Sequence, residues 1–578
     1  MQWQVLFRAA ALGVSIGAAA CSGSVAGNGQ GQGDDGSEGG SGGEIKPGGD
    51  GVPAASDGLG RLDESQVKEC SQSKVLDPGS TVIRRLTRRE YDNTIADLLF
   101  DASSPSKQFP SDERRLSFDN NAAYLNVSPT HTERYDLAAE TLATAAVQKN
   151  LAKLVSCKPA SATDEVCAKT FINGFVQRAF RRPVEKAEED RFLGVFRQGA
   201  KTDFNTGVSL VVQAVLQSAP FLYRVEFGEP VQGDDKFVKL TSWEIASRLS
   251  YLLWASMPDE ALFAAAKDNK LQTRAQVSEH VQRMLKDPKA KRMVGNFHEQ
   301  WLGLGDVQSI DRDAKLFPDW KNENIQMLKQ EVNEFTSSLV FNDGNIKELF
   351  TAPHTMMNGA VAKHYGVSSP TGTTFEKVED DKRHAGVFTL GAVMASTGKI
   401  NQSSPVLRGK FVREHMLCQS LPPPPPDVNA EAPSLDPKLT TRDRFAQHSE
   451  NPACANCHRL LDPVGLGMEN FDAVGRYRDK ENGLDLNVNG KLEDTDVDGT
   501  FNGVFELAQK LSTSEEAQRC MVTNWFRFAY GRTESDSDLC FLHQLDARLV
   551  KSSGNLRELL VATTELDAFF YRRAGGAQ

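Results

Sequence analysis

Leu86-Thr87-Arg88-Arg89-Glu90-Tyr91 is the stretch of sequence that most directly indicates the fold. Thr87 is placed to cap a helix, and Glu90 can reach back to the backbone of Thr87, which is the arrangement called a capping box. Behind it, one helical face collects the apolar side chains of Tyr91, Ile95, Leu98 and Leu99. The same device recurs at Leu240-Thr241-Ser242-Trp243-Glu244-Ile245. These signals predict helices as the main elements of the chain.

Helical spacing of apolar residues continues through most of the sequence. It predicts helices at 165–180, 186–199, 205–218, 274–286, 321–341, 503–511, 515–530 and 555–565. The clearest strand signal is 484–502, where Asn489-Gly490 is typical of a two-residue hairpin turn. Pro422 to Pro426 predict a stiff polyproline II connector. The expected fold class is therefore mainly α, with several consecutive helical domains and a short β-hairpin.

Composition limits the class of protein. The 578 residues carry a net charge of −11 and include 31 Phe and six Trp. That length predicts several domains, and the aromatic residues supply core material that a disordered chain lacks. The acidic balance argues against a nucleic-acid partner. The basic cluster Arg84-Arg85 with Arg88-Arg89 is predicted to be a solvated helix start and not a binding site. A buried carboxylate partner, such as the Asp97 side of that helix, is the alternative explanation.

The N-terminus predicts export. A short apolar run, 9–20, follows Arg8 and ends in small residues directly before Cys21. This run is too short to span a membrane, and its pattern predicts a signal peptide at 1–20 with Cys21 lipidated, as in bacterial lipoproteins. An ordinary signal peptide cleaved nearby is the alternative. Residues 21–65 then form a glycine-rich tether, and Ser22 favours anchoring at the outer membrane.

The cysteines agree with an oxidising compartment. Apart from Cys21 and a pair at 454 and 457, six cysteines remain, an even number that suits three disulfides. Pairing neighbours predicts Cys157–Cys167 and Cys520–Cys540, which leaves Cys70–Cys418. Other connectivities, or free buried thiols, stay open.

Cys454-Ala455-Asn456-Cys457-His458 is a CxxCH motif, the signature of c-type haem attachment. Its spacing lets both thiols bond to the two vinyl groups along one haem edge and brings His458 under the iron as the proximal ligand. The motif therefore predicts one covalent haem c, with the β-hairpin following it. A Cys454–Cys457 disulfide is one alternative. Tetrahedral zinc bound by the two cysteines, His458 and His448 is the other.

The sixth iron ligand stays open at this point. Met468 and His448 are the candidates nearest in sequence, and three others could reach an iron only through the fold: His415, Met416 and Met521. A six-coordinate iron would indicate electron transfer, and a five-coordinate one would indicate peroxide or oxygen chemistry.

The order of the motifs resembles the planctomycete-type cytochrome c-like multidomain proteins, which are series of conserved domains of unknown function. The segments that carry the resemblance are 84–94, 179–183, 249–254, 257–259, 404–405, 408–409, the proline run 422–426, 454–458, 462–472 and 528–532. It implies helical domains at 80–145, 157–226 and 237–366, a CxxCH domain at 383–480, and a C-terminal helical domain at 500–572. The family brings no settled reaction with it.

Together these observations predict an exported c-type haem lipoprotein. Its expected role is electron transfer or haem-linked redox chemistry with an unidentified redox partner protein or small-molecule substrate. A lipid anchor would attach it to the membrane. The alternative is a non-enzymatic surface or binding lipoprotein in which the CxxCH segment is structural.

Overall fold

The computed structural model describes residues 55–56, 64–72, 77–79, 83–380, 382–421, 432–448 and 452–574. Several expectations fall outside these residues: the signal peptide, the lipidated Cys21, most of the glycine-rich tether and the proline run. Within the described chain, no helix is both long enough and apolar enough to cross a membrane.

Helices form most of the described structure. In chain order they are α1 Glu64–Gln72, α2 Arg88–Leu99, α3 Pro129–Leu154, α4 Glu165–Phe180, α5 Lys186–Gly199, α6 Phe204–Leu216, α7 Ala219–Leu222, α8 Ser242–Trp254, α9 Glu260–Lys267, α10 Arg274–Leu285, α11 Ala290–Trp301, α12 Asn324–Phe341, α13 Ile346–Thr351, α14 Gly359–Tyr365, α15 Gly391–Ser396, α16 Pro405–Phe411, α17 Thr441–His448, α18 Pro452–Leu466, α19 Gly503–Leu511, α20 Glu515–Tyr530, α21 Leu539–Lys551, α22 Leu556–Thr563 and α23 Asp567–Phe570. A π-helical turn, Val412–Met416, continues α16.

The strands are short and pair antiparallel. They are β1 Ala55–Ser56, β2 Arg84–Arg85, β3 Tyr223–Arg224, β4 Glu229–Val231, β5 Asp234–Lys239, β6 His354–Met357, β7 Glu376–Glu379, β8 Gln419–Ser420, β9 Lys480–Glu481, β10 Leu484–Asp485, β11 Asn489–Leu492, β12 Gly499–Asn502 and β13 Tyr571–Arg573. The largest sheet in the described chain has the order β13-β5-β4. The last strand, β13, therefore pairs with β5, which lies more than 300 residues earlier in the sequence. The mainly α prediction is confirmed.

Local signals explain why the helix predictions are confirmed. Both capping boxes form, with Thr87 and Glu90 starting α2 and Thr241 and Glu244 starting α8. The predicted bounds of α4, α5, α19 and α20 are those observed, and the other predicted helices differ by a few residues at their ends. A residue that caps a helix acts on the backbone within one turn of itself, so the sequence contains this information directly.

Two hydrophobic cores hold the helices together. The first packs α2 to α6, with side chains such as Phe171 and Val212 fully buried. The second runs from α8 to α23. Helix α8 joins them, because Tyr251 packs in the first core while Leu249 and Leu253 pack in the second. Each fully buried side chain of this size stabilises the fold by about 1.5–3 kcal/mol.

The predicted hairpin is present, but its turn is not where the sequence suggested. Strands β11 and β12 pair with Asn489 opposite Asn502 and Leu492 opposite Gly499, so Asn489-Gly490 lies within a strand. Any side chain at Gly490 would overlap the ring of Phe501. The glycine therefore serves close packing in a strand and does not form a turn.

The prediction of a solvated basic cluster is wrong for Arg84 and Arg85. Arg85 is 2% exposed and pairs with Asp112 at 2.7 Å. Arg84 pairs at 2.9 Å with Glu90, the same carboxylate that closes the capping box of α2. These side chains point into the protein because β2 pairs with β3 and is covered by other elements.

Disulfide pairing corrects the sequence-based prediction at two of three bonds. Cys157–Cys167 is present as predicted. The other four cysteines pair as Cys70–Cys540 and Cys418–Cys520, and not as Cys520–Cys540 and Cys70–Cys418. Cys520 and Cys540 lie on different helices whose cysteine-bearing faces meet different neighbours. Helix α21 meets α1, and α20 meets the π-helical turn before Cys418.

Peptide mapping under non-reducing conditions tests this connectivity. Digestion of the oxidised protein should release one pair of linked peptides containing Cys70 and Cys540 and another containing Cys418 and Cys520. The Cys157–Cys167 link serves as the internal control, because both pairing schemes include it. A linked peptide pair joining Cys520 to Cys540 would contradict the packing of α20 and α21 described above.

Candidate functional site

The CxxCH motif lies on helix α18. Pro452 begins the helix, a position where proline is favoured because its missing N–H would have no helical partner. The side chains of Cys454 and Cys457 lie outside the described residues, as does the side chain of His448. His458 is described and lies half-buried on α18.

Helix α18 is fixed against α16 by two glycines. A methyl group on Gly465 would overlap the carbonyl oxygen of Pro405, and one on Gly409 would overlap the carbonyl oxygen of Leu461. The two helices therefore touch backbone to backbone, which only glycine permits. This contact sets the position of the CxxCH segment relative to the rest of its domain.

A buried carboxylate follows directly behind α18. Glu469 is 1% exposed and pairs with Arg408, which is fully buried, at 3.1 Å. Its other oxygen accepts hydrogen bonds from Ser403 at 2.6 Å and Arg478 at 2.8 Å. Arg408 also donates to the carbonyl of Met468 at 2.9 Å. Most polar atoms of this buried pair are thus satisfied, which is the condition for such a pair to be tolerated, although Nε of Arg408 has no hydrogen-bond partner within the described chain.

A second carboxylate, Glu481, anchors helix α17. It accepts the backbone N–H of Thr441 at 2.5 Å and the hydroxyl of Thr441 at 2.8 Å, and pairs with Arg444 at 3.3 Å. Burial opposes ionisation of Glu481, but Arg478 and the hydrogen bonds from Thr441 outweigh it and lower the pKa. Helix α17 is thereby held beside α18.

His458 is oriented by Asp462, one helical turn further along α18. Its Nδ1 lies 2.9 and 3.0 Å from the two carboxylate oxygens. This hydrogen bond raises the pKa of His458, although burial opposes the change. A carboxylate only accepts hydrogen bonds, so Nδ1 carries the proton and Nε2 is the nitrogen that would bind a metal. Metal-binding histidines are commonly held by a carboxylate in this manner.

A cavity of about 410 Å³ opens beside His458, between α17 and α18. Among the side chains that the structure describes, it is lined by Arg442, Phe445, Ala446, His458, Arg459, Asp462, Pro463 and Leu466. This volume is within the usual range of ligand and cofactor sites. Arg442 donates to the carbonyls of Asn487, at 2.8 Å, and Asn489, and makes no ion pair within the described chain. The cavity thus combines an apolar wall, an oriented imidazole and a cation.

The candidate sixth ligands are distributed differently. Met468 is buried in the second core and is absent from the described lining of the cavity. His415 is engaged elsewhere, since its Nδ1 bonds the carbonyl of Trp301 at 2.5 Å. Met416 and Met521 pack in the second core. The assignment of a sixth ligand to Met468 or His448 stays a prediction.

Sequence reasoning missed three members of this site: Asp462, Arg442 and Phe445. The signal for Asp462 was available, because a carboxylate four residues after a histidine lies on the same helical face. Nothing local indicated Arg442 or Phe445. Within the described side chains, which exclude both motif cysteines, no group of three acidic, histidine or cysteine residues could hold a metal ion.

Five family models match the chain in series. Each is described as a protein of unknown function, and they are DUF1587 at 84–148, DUF1595 at 167–226, DUF1592 at 240–367, DUF1588 at 384–481 and DUF1585 at 498–569. No curated protein and no solved structure matches the chain. The DUF1588 match contains the CxxCH helix and its cavity.

The fold and the domain series define a helical multidomain protein of the cytochrome c-like kind. The chain belongs to the planctomycete-type cytochrome c-like multidomain proteins, as its sequence motifs indicated.

The contact between α16 and α18 predicts a strong response to a single methyl group. Gly465→Ala should lower the melting temperature, because overpacking of this kind costs about 1–3 kcal/mol. Gly174→Ala is the matched control, since Gly174 is an exposed helical glycine whose added methyl meets nothing within 4 Å. That control should stabilise by about 0.5–1 kcal/mol. Thermal unfolding followed by circular dichroism measures both, and equal effects would contradict the packing described here.

Proposed function

We propose that the protein is an exported lipoprotein that carries one covalent c-type haem and acts in electron transfer or haem-linked redox chemistry. The observation that carries the proposal is the His458–Asp462 pair, which borders a cavity on the same helix as the CxxCH motif. The cytochrome c-like domain series supports it.

The residues of the cavity fit a haem. Cys454 and Cys457 would bond to the vinyl groups, and His458 would bind the iron through Nε2. Phe445 and Leu466 offer apolar surface to a porphyrin ring, and Arg442 is the cation that could pair with a propionate. When bound, the haem supplies one-electron redox chemistry.

Asp462 is the residue that tunes the proposed ligand. By accepting the Nδ1 proton of His458 it fixes the tautomer and the ring orientation, and it strengthens Nε2 as an electron donor. A stronger nitrogen donor favours the oxidised state of the iron it binds, so this carboxylate would lower the reduction potential of a haem held by His458. The buried pair of Glu469 ties the end of α18 to α16, and that of Glu481 ties α17 to β9, so both helices that border the cavity are anchored.

Export is supported by the disulfides. Three disulfide bonds join the six cysteines whose side chains the structure describes, and such bonds persist in oxidising compartments. The signal peptide pattern before Cys21 points the same way, and c-type haem is attached outside the cytoplasm. Lipid at Cys21 would then be the membrane attachment.

Haem attachment is tested by expression in a host with c-type maturation machinery. The wild-type protein should show a Soret band that survives acid–acetone extraction, because thioether bonds retain the haem. Cys454→Ala combined with Cys457→Ala should abolish the band. Cys157→Ala combined with Cys167→Ala is the matched control, as it removes another closely spaced cysteine pair, and it should keep the band.

His458→Ala separates the possible occupants of the motif. With haem, some thioether attachment should remain while the spectrum shifts towards high spin, since the strong-field nitrogen is lost. With zinc, the wild type would show no Soret band and the variant would lose bound zinc and thermal stability. A Cys454–Cys457 disulfide would leave both readouts unchanged. Colourless wild-type protein from the maturation host would overturn the haem proposal.

Lipid attachment is tested by Cys21→Ala. The variant should appear in the soluble fraction, because lipid at Cys21 is the proposed anchor. Cell fractionation followed by immunoblotting measures the distribution, with Cys157→Ala as a control that should stay with the membrane. Unchanged membrane association of Cys21→Ala would refute the proposed anchor.

A further inference from the structure

A second cavity lies where four of the five matched domains meet. It has a volume of about 70 Å³. Four arginines line it, each from a different matched domain: Arg84, Arg224, Arg248 and Arg532. They belong in turn to the DUF1587, DUF1595, DUF1592 and DUF1585 matches.

Three of these arginines have their own carboxylate. Arg84 pairs with Glu90 at 2.9 Å. Arg248 donates two hydrogen bonds to Glu226, at 2.7 and 2.6 Å. Arg532 donates two hydrogen bonds to Asp538, both at 2.6 Å. The pairings of Arg248 and Arg532 use both oxygens of the carboxylate, whereas Arg84 makes a single hydrogen bond to Glu90.

Arg224 is the exception. The carboxylate that comes within 4 Å of it is Glu90, whose Oε1 lies 3.6 Å from Nη1 and already accepts a hydrogen bond from Arg84. Glu226 also lines the cavity and attracts the charge of Arg224, but both of its oxygens accept hydrogen bonds from Arg248. Within the described chain, Nε and Nη1 of Arg224 are buried and have no hydrogen-bond partner. Its side chain is 9% exposed and lies over the ring of Tyr251, at 4.8 Å from the ring centre.

This arrangement is unfavourable for the protein alone. Burial and the nearby cation of Arg84 lower the pKa of Arg224 to about 9. A buried charge without a full partner and with unmet donors costs several times the energy of an ordinary missing hydrogen bond. The described residues of the cavity therefore lack one negative charge and at least two hydrogen-bond acceptors.

We propose that this cavity binds a small oxyanion, either an inorganic one such as phosphate or the carboxylate of a small acid. Such a ligand would supply the missing negative charge and accept hydrogen bonds from Nε and Nη1 of Arg224. The cavity is several times larger than the space one water molecule needs, and so can hold a group of this size. Apolar side chains close part of the wall: Leu252, Tyr530 and Phe569. Because four domains contribute residues, the ligand would also stabilise their junction.

Calorimetric titration of the purified full-length chain tests the proposal, with phosphate, sulfate and acetate as separate probes against a chloride background of equal ionic strength. At least one probe should bind saturably at one site per chain. Tetrahedral anions binding better than acetate would indicate an inorganic oxyanion or phosphate group, and the reverse order would indicate a carboxylate. Absence of saturable binding by all three would overturn the proposal, whatever the variants do.

Arg224→Gln locates the binding. It should weaken affinity for the preferred anion about tenfold or more, since a hydrogen bond to a charged group is lost. In chloride the variant should melt at the same temperature as wild type or higher, because an unbalanced buried charge is gone. Arg197→Gln is the control: Arg197 is exposed on α5, pairs with Glu165 and should leave affinity unchanged. Equal affinity in Arg224→Gln and wild type would contradict this location.

Should Arg224→Gln fail to fold, Arg224→Lys keeps the charge and tests the same position. It should bind the anion more weakly than wild type, because an ammonium cannot reproduce the guanidinium donors. Unchanged affinity in Arg224→Lys would count against the proposal. Phosphate and sulfate stabilise many proteins without binding, so melting temperature in these salts is compared only between variants.

Discussion

The carboxylate of Glu469 is the buried charge around which the CxxCH domain is organised. It joins Arg408 from α16, Ser403 before α16 and Arg478 after α18. Removing Arg408, which is fully buried, would deprive the buried carboxylate of one of its two ion-pair partners, at a cost of several kcal/mol. The glycine contact between α16 and α18 depends on the same alignment, because the helices must meet at one register for Gly409 and Gly465 to face a carbonyl. These contacts fix α18, and α18 in turn positions His458 beside the cavity.

How much of the fold could be predicted from the sequence depended on the range of each interaction. The helices α4, α5, α19 and α20 were predicted to the residue because caps and apolar periodicity act within a few residues. The disulfide pairing was not, because Cys418 and Cys520 meet only after α20 packs on the π-helical turn. The prediction of a turn at Asn489-Gly490 was wrong for a related reason. The ring of Phe501 requires glycine at position 490, and the dipeptide alone does not reveal this long-range contact.

The candidate site shows the same division. CxxCH is recognised from five adjacent letters, and Asp462 could have been recognised from helical geometry. Arg442 and Phe445 reach the cavity only because Glu481 pins the start of α17 beside α18. The cavity lined by Arg84, Arg224, Arg248 and Arg532 could not be predicted from any local sequence pattern. Arg84 and Arg532 both line that cavity, although most of the chain separates them in sequence. The sequence around Arg84 is typical of a charged surface, but in the fold Glu90 pairs with Arg84 and Asp112 pairs with Arg85.

The proposed redox function requires a haem attached covalently to α18. Mass spectrometry of tryptic peptides from protein matured in a c-type competent host tests it most directly, because residues 445–459 form one tryptic peptide that contains both cysteines and His458. If haem is attached to Cys454 and Cys457, this peptide carries the added mass of one haem and absorbs in the Soret region. The same peptide without haem, whether as a Cys454–Cys457 disulfide or as two thiols, would contradict the proposed function.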